Sequence, residues 1–231
     1  MSKIYVPTQS PEDWKRLLAK PDLHWKAGRS ARALAECWEY ARGVPLEISR
    51  LLQAHFSGAE LLIAIPEYKV SLPGGKTESQ SDLFCLFRTS VGTLAVMIEG
   101  KVDEPFGPTL GEWVTEASKG KQERLSYISR VLGIAQPIPE SIRYQLLHRT
   151  ASAVITADRF GADAAAMIVH SFSARKSWFQ DFQSFAALWG MGVTSDEMVQ
   201  VSSTSSKLFI GWASGNLADT RAPEVVEPAE L

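Results

Sequence analysis

Two places in the chain, Asp82 and the run Glu99-Gly100-Lys101, carry groups that can bind a metal ion and activate water. Side chains alternate between the two faces of a strand, so Glu99 and Lys101 point to the same side. Two carboxylates and a backbone carbonyl, here that of Gly100, are hard oxygen ligands of the kind that Mg²⁺ binds. A lysine beside such an ion can hold or deprotonate the water that attacks a phosphodiester. The pattern therefore indicates metal-assisted hydrolysis.

An apolar run leads directly into Glu99. Leu94 to Ile98 is apolar on both faces, which is typical of a strand covered on both sides. A buried charge is costly unless it is paired or binds a metal. Three explanations therefore stay open. The strand ends near Glu99 and its charges are solvated, or Glu99 and Lys101 form a structural ion pair, or both belong to an active site at the end of a sheet.

A predicted hairpin brings Asp82 to this strand. DLFCLFRT (82–89) and TLAVMIEGKV (93–102) read as strands, and residues 90–92 form a short turn between them. Positions 82 and 99 lie about equally far from that turn, so they face each other across the ladder. We therefore expect the carboxylates of Asp82 and Glu99 to share one ion.

The remaining elements predict an α/β (α+β) fold. A mixed central sheet is expected, in which three consecutive strands form an antiparallel meander and helices cover both faces. We expect one domain over residues 1–216, with its core at about 30–172, and a disordered acidic tail over 217–231. The further predicted helices are 10–20, 30–43, 45–56, 109–132, 138–161 and 177–190, and the further strands are 60–70, 164–172 and 207–214.

Other residues can join the site. Glu36 and Glu39 lie three apart on the predicted helix 30–43, and either can supply a further acid or simply face solvent. Glu67-Tyr68-Lys69 is a second Glu-x-Lys pattern after an apolar run, but no aspartate-bearing strand precedes it, so Glu99 is preferred.

A polar stripe on the long predicted helix is a candidate substrate-binding surface. Gln145, His148 and Arg149 share one face by helical spacing, and this face turns either toward solvent or toward phosphate.

Composition limits the function classes. The formal net charge is −2, so the chain as a whole is not a basic nucleic-acid binder. Cys37 and Cys85 have apolar surroundings and no CxxC partner, which is typical of buried reduced thiols in a cytoplasmic protein. His170 ends an apolar strand and reads as a core histidine. No apolar run reaches the length of about 18 residues that a membrane span needs, so no membrane partner is expected.

The pattern of Ser81-Asp82 followed by Ile98-Glu99-Gly100-Lys101 resembles that of the PD-(D/E)XK nuclease superfamily, which has the restriction-endonuclease-like fold. The order of helix, three strands, helix and strand over about residues 30–172 is similar to that family's core. The chain as a whole also resembles an uncharacterised bacterial protein family. Two departures stand out, since a serine replaces the family's proline before the first acid, and the helix 138–161 lacks the Gln-x-x-x-Tyr spacing of some relatives.

The resemblance implies roles for individual residues. Asp82 and Glu99 would bind Mg²⁺, or Mn²⁺ in its place, and Lys101 would act on the water. Glu36 would be an additional metal ligand from the first core helix. DNA is the implied substrate, and a homodimer is compatible with cutting both strands. The competing hypothesis is a binding or regulatory protein that keeps this fold with a structural or vestigial acid cluster.

Overall fold

The computed structural model of the protein describes residues 7–115, 118–202 and 207–217. The strands are β1 (Glu60–Val70), β2 (Ser79–Thr89), β3 (Gly92–Lys101), β4 (Ala164–Ser171), β5 (Glu197–Val201) and β6 (Lys207–Ser214). The helices are α1 (Pro11–Lys15), α2 (Pro21–His24), α3 (Ser30–Tyr40), α4 (Leu46–Gln53), α5 (Leu110–Val114), α6 (Lys119–Leu132), α7 (Tyr144–Phe160) and α8 (Phe179–Ala186).

All six strands form one mixed sheet with the order β1-β2-β3-β4-β6-β5. The first three strands are antiparallel neighbours, as the hairpin pattern predicts. β4 then pairs parallel to β3, and β6 pairs parallel to β4, so crossover connections build the other half of the sheet. The prediction of a mixed sheet flanked by helices is confirmed, but the meander is only half of that sheet.

Helices cover both faces because the central strands are apolar on both faces. On β3, Met97 belongs to the core beneath α6 and α7, whereas its neighbour Ile98 belongs to the core beneath α3 and α4. Phe84 and Leu83 divide in the same way on β2. The sheet thus separates two apolar layers, and α7 is the helix that lies across β3 and β4 on the first face.

Several predicted boundaries are wrong in ways that matter for the site. β2 begins at Ser79 rather than at residue 82, so it carries three more polar residues than expected. The long helix begins at Tyr144 rather than near residue 138, because the segment before it pairs with the start of α5, where Leu110 N–H donates to the carbonyl of Ile142. Away from the site, the structure also contains a short edge strand, β5, which the sequence did not predict.

Capping interactions explain where α1 and α5 begin. The capping boxes of Ser10 with Asp13 and of Thr109 with Glu112 are both present. α3 begins at Ser30, and Arg29 precedes it in an extended conformation. The predicted tail 217–231 lies outside the described residues except for Leu217. None of the described helices is both long enough and apolar enough to cross a bilayer.

Candidate active site

Three carboxylates occupy neighbouring positions on three adjacent strands. The flanking pairs are Pro66–Leu83, Tyr68–Ser81 and Leu83–Ile98. This register places Glu67 of β1 and Glu99 of β3 on either side of Asp82 of β2. We call these three residues the acid row. Like charges directly opposite each other on a sheet are unfavourable, so the surrounding groups must compensate them.

Glu99 is compensated by three donors. It is only 2% exposed, and its Oε1 accepts hydrogen bonds of 2.7 Å from Lys101 Nζ and of 2.7 Å from Gln145 Nε2. Its Oε2 accepts a 2.6 Å hydrogen bond from Arg149 Nε. Gln145 and Arg149 are four residues apart on α7, so they reach Glu99 from one helix face. Burial alone would raise the pKa of Glu99, but the charges of Arg149 and Lys101 outweigh it and hold this pKa below its usual value.

Asp82 has no cation of its own. Its Oδ2 accepts a 2.8 Å hydrogen bond from the backbone N–H of Gly100. Burial, with the nearby charge of Glu99, raises the pKa of Asp82 to about 7. A strand residue directs its N–H and its C=O toward the same neighbouring strand, so the carbonyl of Gly100 also lies on the side of Asp82.

Glu67 is the third acid of the row. Its Oε2 accepts a 2.6 Å hydrogen bond from Gln80 Nε2. Burial and the charge of Asp82 raise the pKa of Glu67 to about 8. The backbone at Glu67 has φ of 53°, in the left-handed region that non-glycine residues rarely adopt. Such strain costs on the order of 1–3 kcal/mol and tends to cluster at functional sites.

His148 is positioned as a neutral imidazole. Its Nδ1 lies 2.8 Å from Ser79 Oγ, and Arg149 Nη1 donates to the same hydroxyl at 3.3 Å. Burial, reinforced by the charge of Arg149, keeps the pKa of His148 well below its usual value. The early start of β2 thus supplies the partner that orients this side chain.

An open cavity of about 610 Å³ gives access to these groups. Phe106 forms part of its wall, and the Nζ of Lys101 lies 5.1 Å from the centre of that ring. The first turn of α3 and the residue before it border the same space, through Arg29 and Ser30. The polar lining comprises Arg29, Ser30, Glu67, Gln80, Asp82, Glu99, Lys101, Glu104, Gln145, His148 and Arg149, together with His24.

The structure brings most of the residues proposed from the sequence to this one cavity. Asp82, Glu99 and Lys101 of the hairpin line it together with Gln145, His148 and Arg149 of α7. Lys101 lies on the face of Glu99, as the period of two predicts. The polar stripe of α7 therefore turns toward the acids rather than toward bulk solvent.

The predicted acid from α3 is not brought to the site. Glu36 lies outside the cavity lining, and Arg32 Nε donates to its Oε1 at 2.7 Å. Glu39 Oε1 accepts a 2.7 Å hydrogen bond from the indole Nε1 of Trp14, so it fastens α1 to α3. Both acids lie further along α3 than its first turn, which is the part that borders the cavity.

Sequence reasoning set Glu67 aside as a rival and did not consider Gln80. The Glu-x-Lys pattern at Glu67 does mark a residue of the site. It could not be assigned from the sequence, because Glu67 reaches the site only through the pairing of β1 with β2. That pairing puts the two Glu-x-Lys segments on either side of Asp82, so both belong to one site and are not alternatives to each other.

The charges of the acid row suit a divalent cation. If all three acids ionise, the cations that act on their pKa values are Lys101 and Arg149, two positive charges against three negative ones. Within the described residues, the acid row is not among the trios whose ligand atoms all lie within 4.8 Å of one another. Mg²⁺ commonly binds through one or two carboxylates and keeps several waters, so Asp82 and Glu99 are a sufficient set.

The fold and the site define an α/β protein with a row of three carboxylates, one buried and two half-buried, beside an open cavity of a mixed sheet. The chain belongs to the family described as "Domain of unknown function (DUF6946)", whose family model matches residues 7–217. Comparisons with curated proteins and with solved structures found no match.

The raised pKa values predict a pH-dependent stability. Between about pH 4.5 and 8, folded Asp82 and Glu67 keep protons that the unfolded chain has released, so the free energy of unfolding should fall as pH rises. Urea denaturation without divalent ions should show this fall, and Asp82→Asn should reduce its slope. Asp22→Asn, which changes a solvated acid of α2, is the control. If the free energy of unfolding of Asp82→Asn falls with pH as steeply as that of wild type, the raised pKa of Asp82 is wrong.

The buried ion pair predicts a large effect of Arg149. Arg149→Met removes one of the two cations that compensate the buried Glu99 and should destabilise the fold by about 3–5 kcal/mol in urea denaturation. Adding Glu99→Gln should restore most of that loss, because the uncompensated charge is then gone. Arg159→Met, at the exposed end of the same helix, should change little. A small effect of Arg149→Met would mean that Glu99 is not ionised in the folded protein.

Proposed function

We propose that this protein is a Mg²⁺-dependent nuclease with a restriction-endonuclease-like fold that hydrolyses DNA phosphodiester bonds. The observation that carries the proposal is the convergence of Asp82, Glu99 and Lys101 at one cavity, where Asp82 and Glu99 lie across the β2–β3 ladder. Two neighbouring acids and a buried lysine in this arrangement suit a metal site with a group that positions water.

The order of elements supports the fold part of the proposal. Helix α3 precedes the antiparallel strands β1, β2 and β3, and α7 then leads into β4, which is parallel to β3. This is the order of helix, three strands, helix and strand that the PD-(D/E)XK nucleases share. The acids lie at the corresponding end of the hairpin.

The metal ligands would be carboxylate oxygens of Asp82 and Glu99 with the carbonyl of Gly100, and Mn²⁺ would serve in place of Mg²⁺. Once bound, the ion supplies charge neutralisation and a water of lowered pKa. Asp82 must lose its proton to act as a ligand, so binding is expected to strengthen as pH rises toward 8. Glu99 is already ionised, so it needs only to give up one of its three hydrogen bonds for a bond to the ion.

Lys101 is the residue that acts on the water. Its Nζ lies 2.7 Å from Glu99 Oε1, which keeps it next to the site where the ion would bind. From there its ammonium group can donate a hydrogen bond to the attacking water and hold it in line. Gln145, His148 and Arg149 line the cavity from α7, so a bound phosphate would exchange hydrogen bonds with donors that now contact Glu99 and Ser79.

A second candidate is a binding or regulatory protein without catalysis. The observation in its favour is that Glu99 already accepts hydrogen bonds from three protein donors, as a structural ion network would require. In that case the acid row is structural or vestigial. A homodimer is an expectation of the nuclease hypothesis alone, because cutting both strands calls for two sites.

Cleavage assays with Lys101 variants separate the two candidates. Wild type should cleave plasmid and oligonucleotide DNA only with Mg²⁺ or Mn²⁺, and Lys101→Ala should lower the rate by about 10²–10⁴-fold. Lys101→Ala should also destabilise the fold, because Glu99 then keeps only one of its two buried cationic partners, so cleavage is measured at a temperature where circular dichroism shows both proteins to be folded. The matched control is Lys69→Ala, which removes the exposed lysine of the other Glu-x-Lys segment and should cleave like wild type.

Two results would contradict the proposed mechanism. A folded wild type that binds DNA but does not cleave it with either ion supports the binding protein. Equal cleavage by wild type and Lys101→Ala would remove Lys101 from the mechanism.

A further inference from the structure

A second cluster of ligand-type side chains lies on the opposite face of the sheet from the acid row. Cys37 of α3, Glu47 of α4 and His170 of β4 each direct one ligand atom to a common point, and these atoms all lie within 4.8 Å of one another. The Nε2 of His170 lies 2.7 Å from Glu47 Oε1. The Sγ of Cys37 lies 3.8 Å from the same oxygen. Within the described ranges, this is the one trio of His, Cys, Asp or Glu with ligand atoms this close.

The donor set selects a class of metal. A sulfur, a nitrogen and a carboxylate oxygen are the ligands of Zn²⁺ and related transition metals, whereas Mg²⁺ and Ca²⁺ prefer oxygen alone. Cys85 lies elsewhere, buried on β2, and does not take part. The cluster is therefore chemically distinct from the acid row on the other face.

The geometry needs little adjustment to bind zinc. Zn–S bonds of about 2.3 Å and Zn–N or Zn–O bonds of about 2.0–2.2 Å in a tetrahedron place the ligand atoms about 3.3–3.6 Å apart. The separations of 2.7 and 3.8 Å lie on either side of that range. A shift of less than about 1 Å in the side chain of Glu47, which is partly exposed, would bring both separations into that range.

The backbone at Gly215 leaves room for this arrangement. A Cβ at this position would lie 2.8 Å from His170 Nε2 and 2.9 Å from Glu47 Oε1, closer than side chains tolerate. The N–H of Gly215 donates to the carbonyl of Ser171 at 2.8 Å, which fixes the chain beside the cluster. Glu47 keeps contact with solvent, so a water can supply the fourth ligand, as in zinc sites with three protein ligands.

We propose that Cys37, Glu47 and His170 form a binding site for Zn²⁺ or a similar transition-metal ion, separate from the acid row. The ion ties α3 and α4 to β4 at the centre of the sheet. Because the first turn of α3 borders the other cavity, the ion also fixes one wall of the proposed nuclease site. The site does not depend on that function and stands whether or not the acid row is catalytic.

Cobalt substitution tests the proposal. The full chain, stripped with a chelator and reloaded with Co²⁺, should bind one ion with a sulfur-to-cobalt charge-transfer band in the near ultraviolet. Cys37→Ser should lose this band, and Cys85→Ala should keep it. A large excess of Mg²⁺ should leave the band unchanged, which separates this ion from any bound at the acid row.

Two further measurements keep the test decisive if Cys37→Ser folds poorly. Glu47→Gln retains the thiolate, so it should keep the band but weaken Co²⁺ binding at least tenfold. Zn²⁺ at about 100 times its dissociation constant should raise the melting temperature of wild type by about 5–10 °C. A wild type without the band, or an unchanged affinity in Glu47→Gln, would overturn the proposal and leave a hydrogen-bonded histidine beside a buried thiol.

Discussion

The site depends on the burial of one ionised carboxylate, that of Glu99, in the centre of a sheet covered on both faces. A charge in that position is stable only with close partners, and Lys101, Gln145 and Arg149 supply them. Two of the three come from α7, so this network fixes both the position and the rotation of that helix on the sheet. The polar stripe of α7 and the charged end of β3 thus depend on each other, because each supplies partners that the other needs in order to be buried.

The same constraint leaves the rest of the acid row short of positive charge. Arg149 and Lys101 are already committed to Glu99, whereas Asp82 and Glu67 are half-buried and accept hydrogen bonds from a backbone N–H and from a glutamine side chain. Burial then keeps protons on both acids near neutral pH. Two half-buried carboxylates without a close cation cost stability, because each loses part of its hydration. Their presence beside an open cavity is what favours a cation-dependent function.

Local patterns allowed much of this to be predicted from the sequence. The turn at residues 90–92 fixed the register that sets Asp82 opposite Glu99, and helical spacing grouped Gln145 with Arg149. Long-range pairing could not be predicted in the same way. Glu67 joins the row only because β1 pairs with β2 after a loop whose geometry no local signal specifies, and its left-handed backbone breaks the strand pattern. The contact of Glu47 with His170 similarly depends on how α4 packs on the sheet, across 123 residues of sequence.

The central claim is that the acid row binds a divalent cation through Asp82 and Glu99. A crystal structure of the protein soaked in Mn²⁺, with anomalous data collected at the manganese edge, tests it most directly. The account predicts an anomalous peak coordinated by one oxygen of each of these carboxylates, with Glu99 having exchanged a hydrogen bond from Lys101 or Gln145 for the ion. An empty row, with all three donors still bound to Glu99 at saturating Mn²⁺, would contradict it.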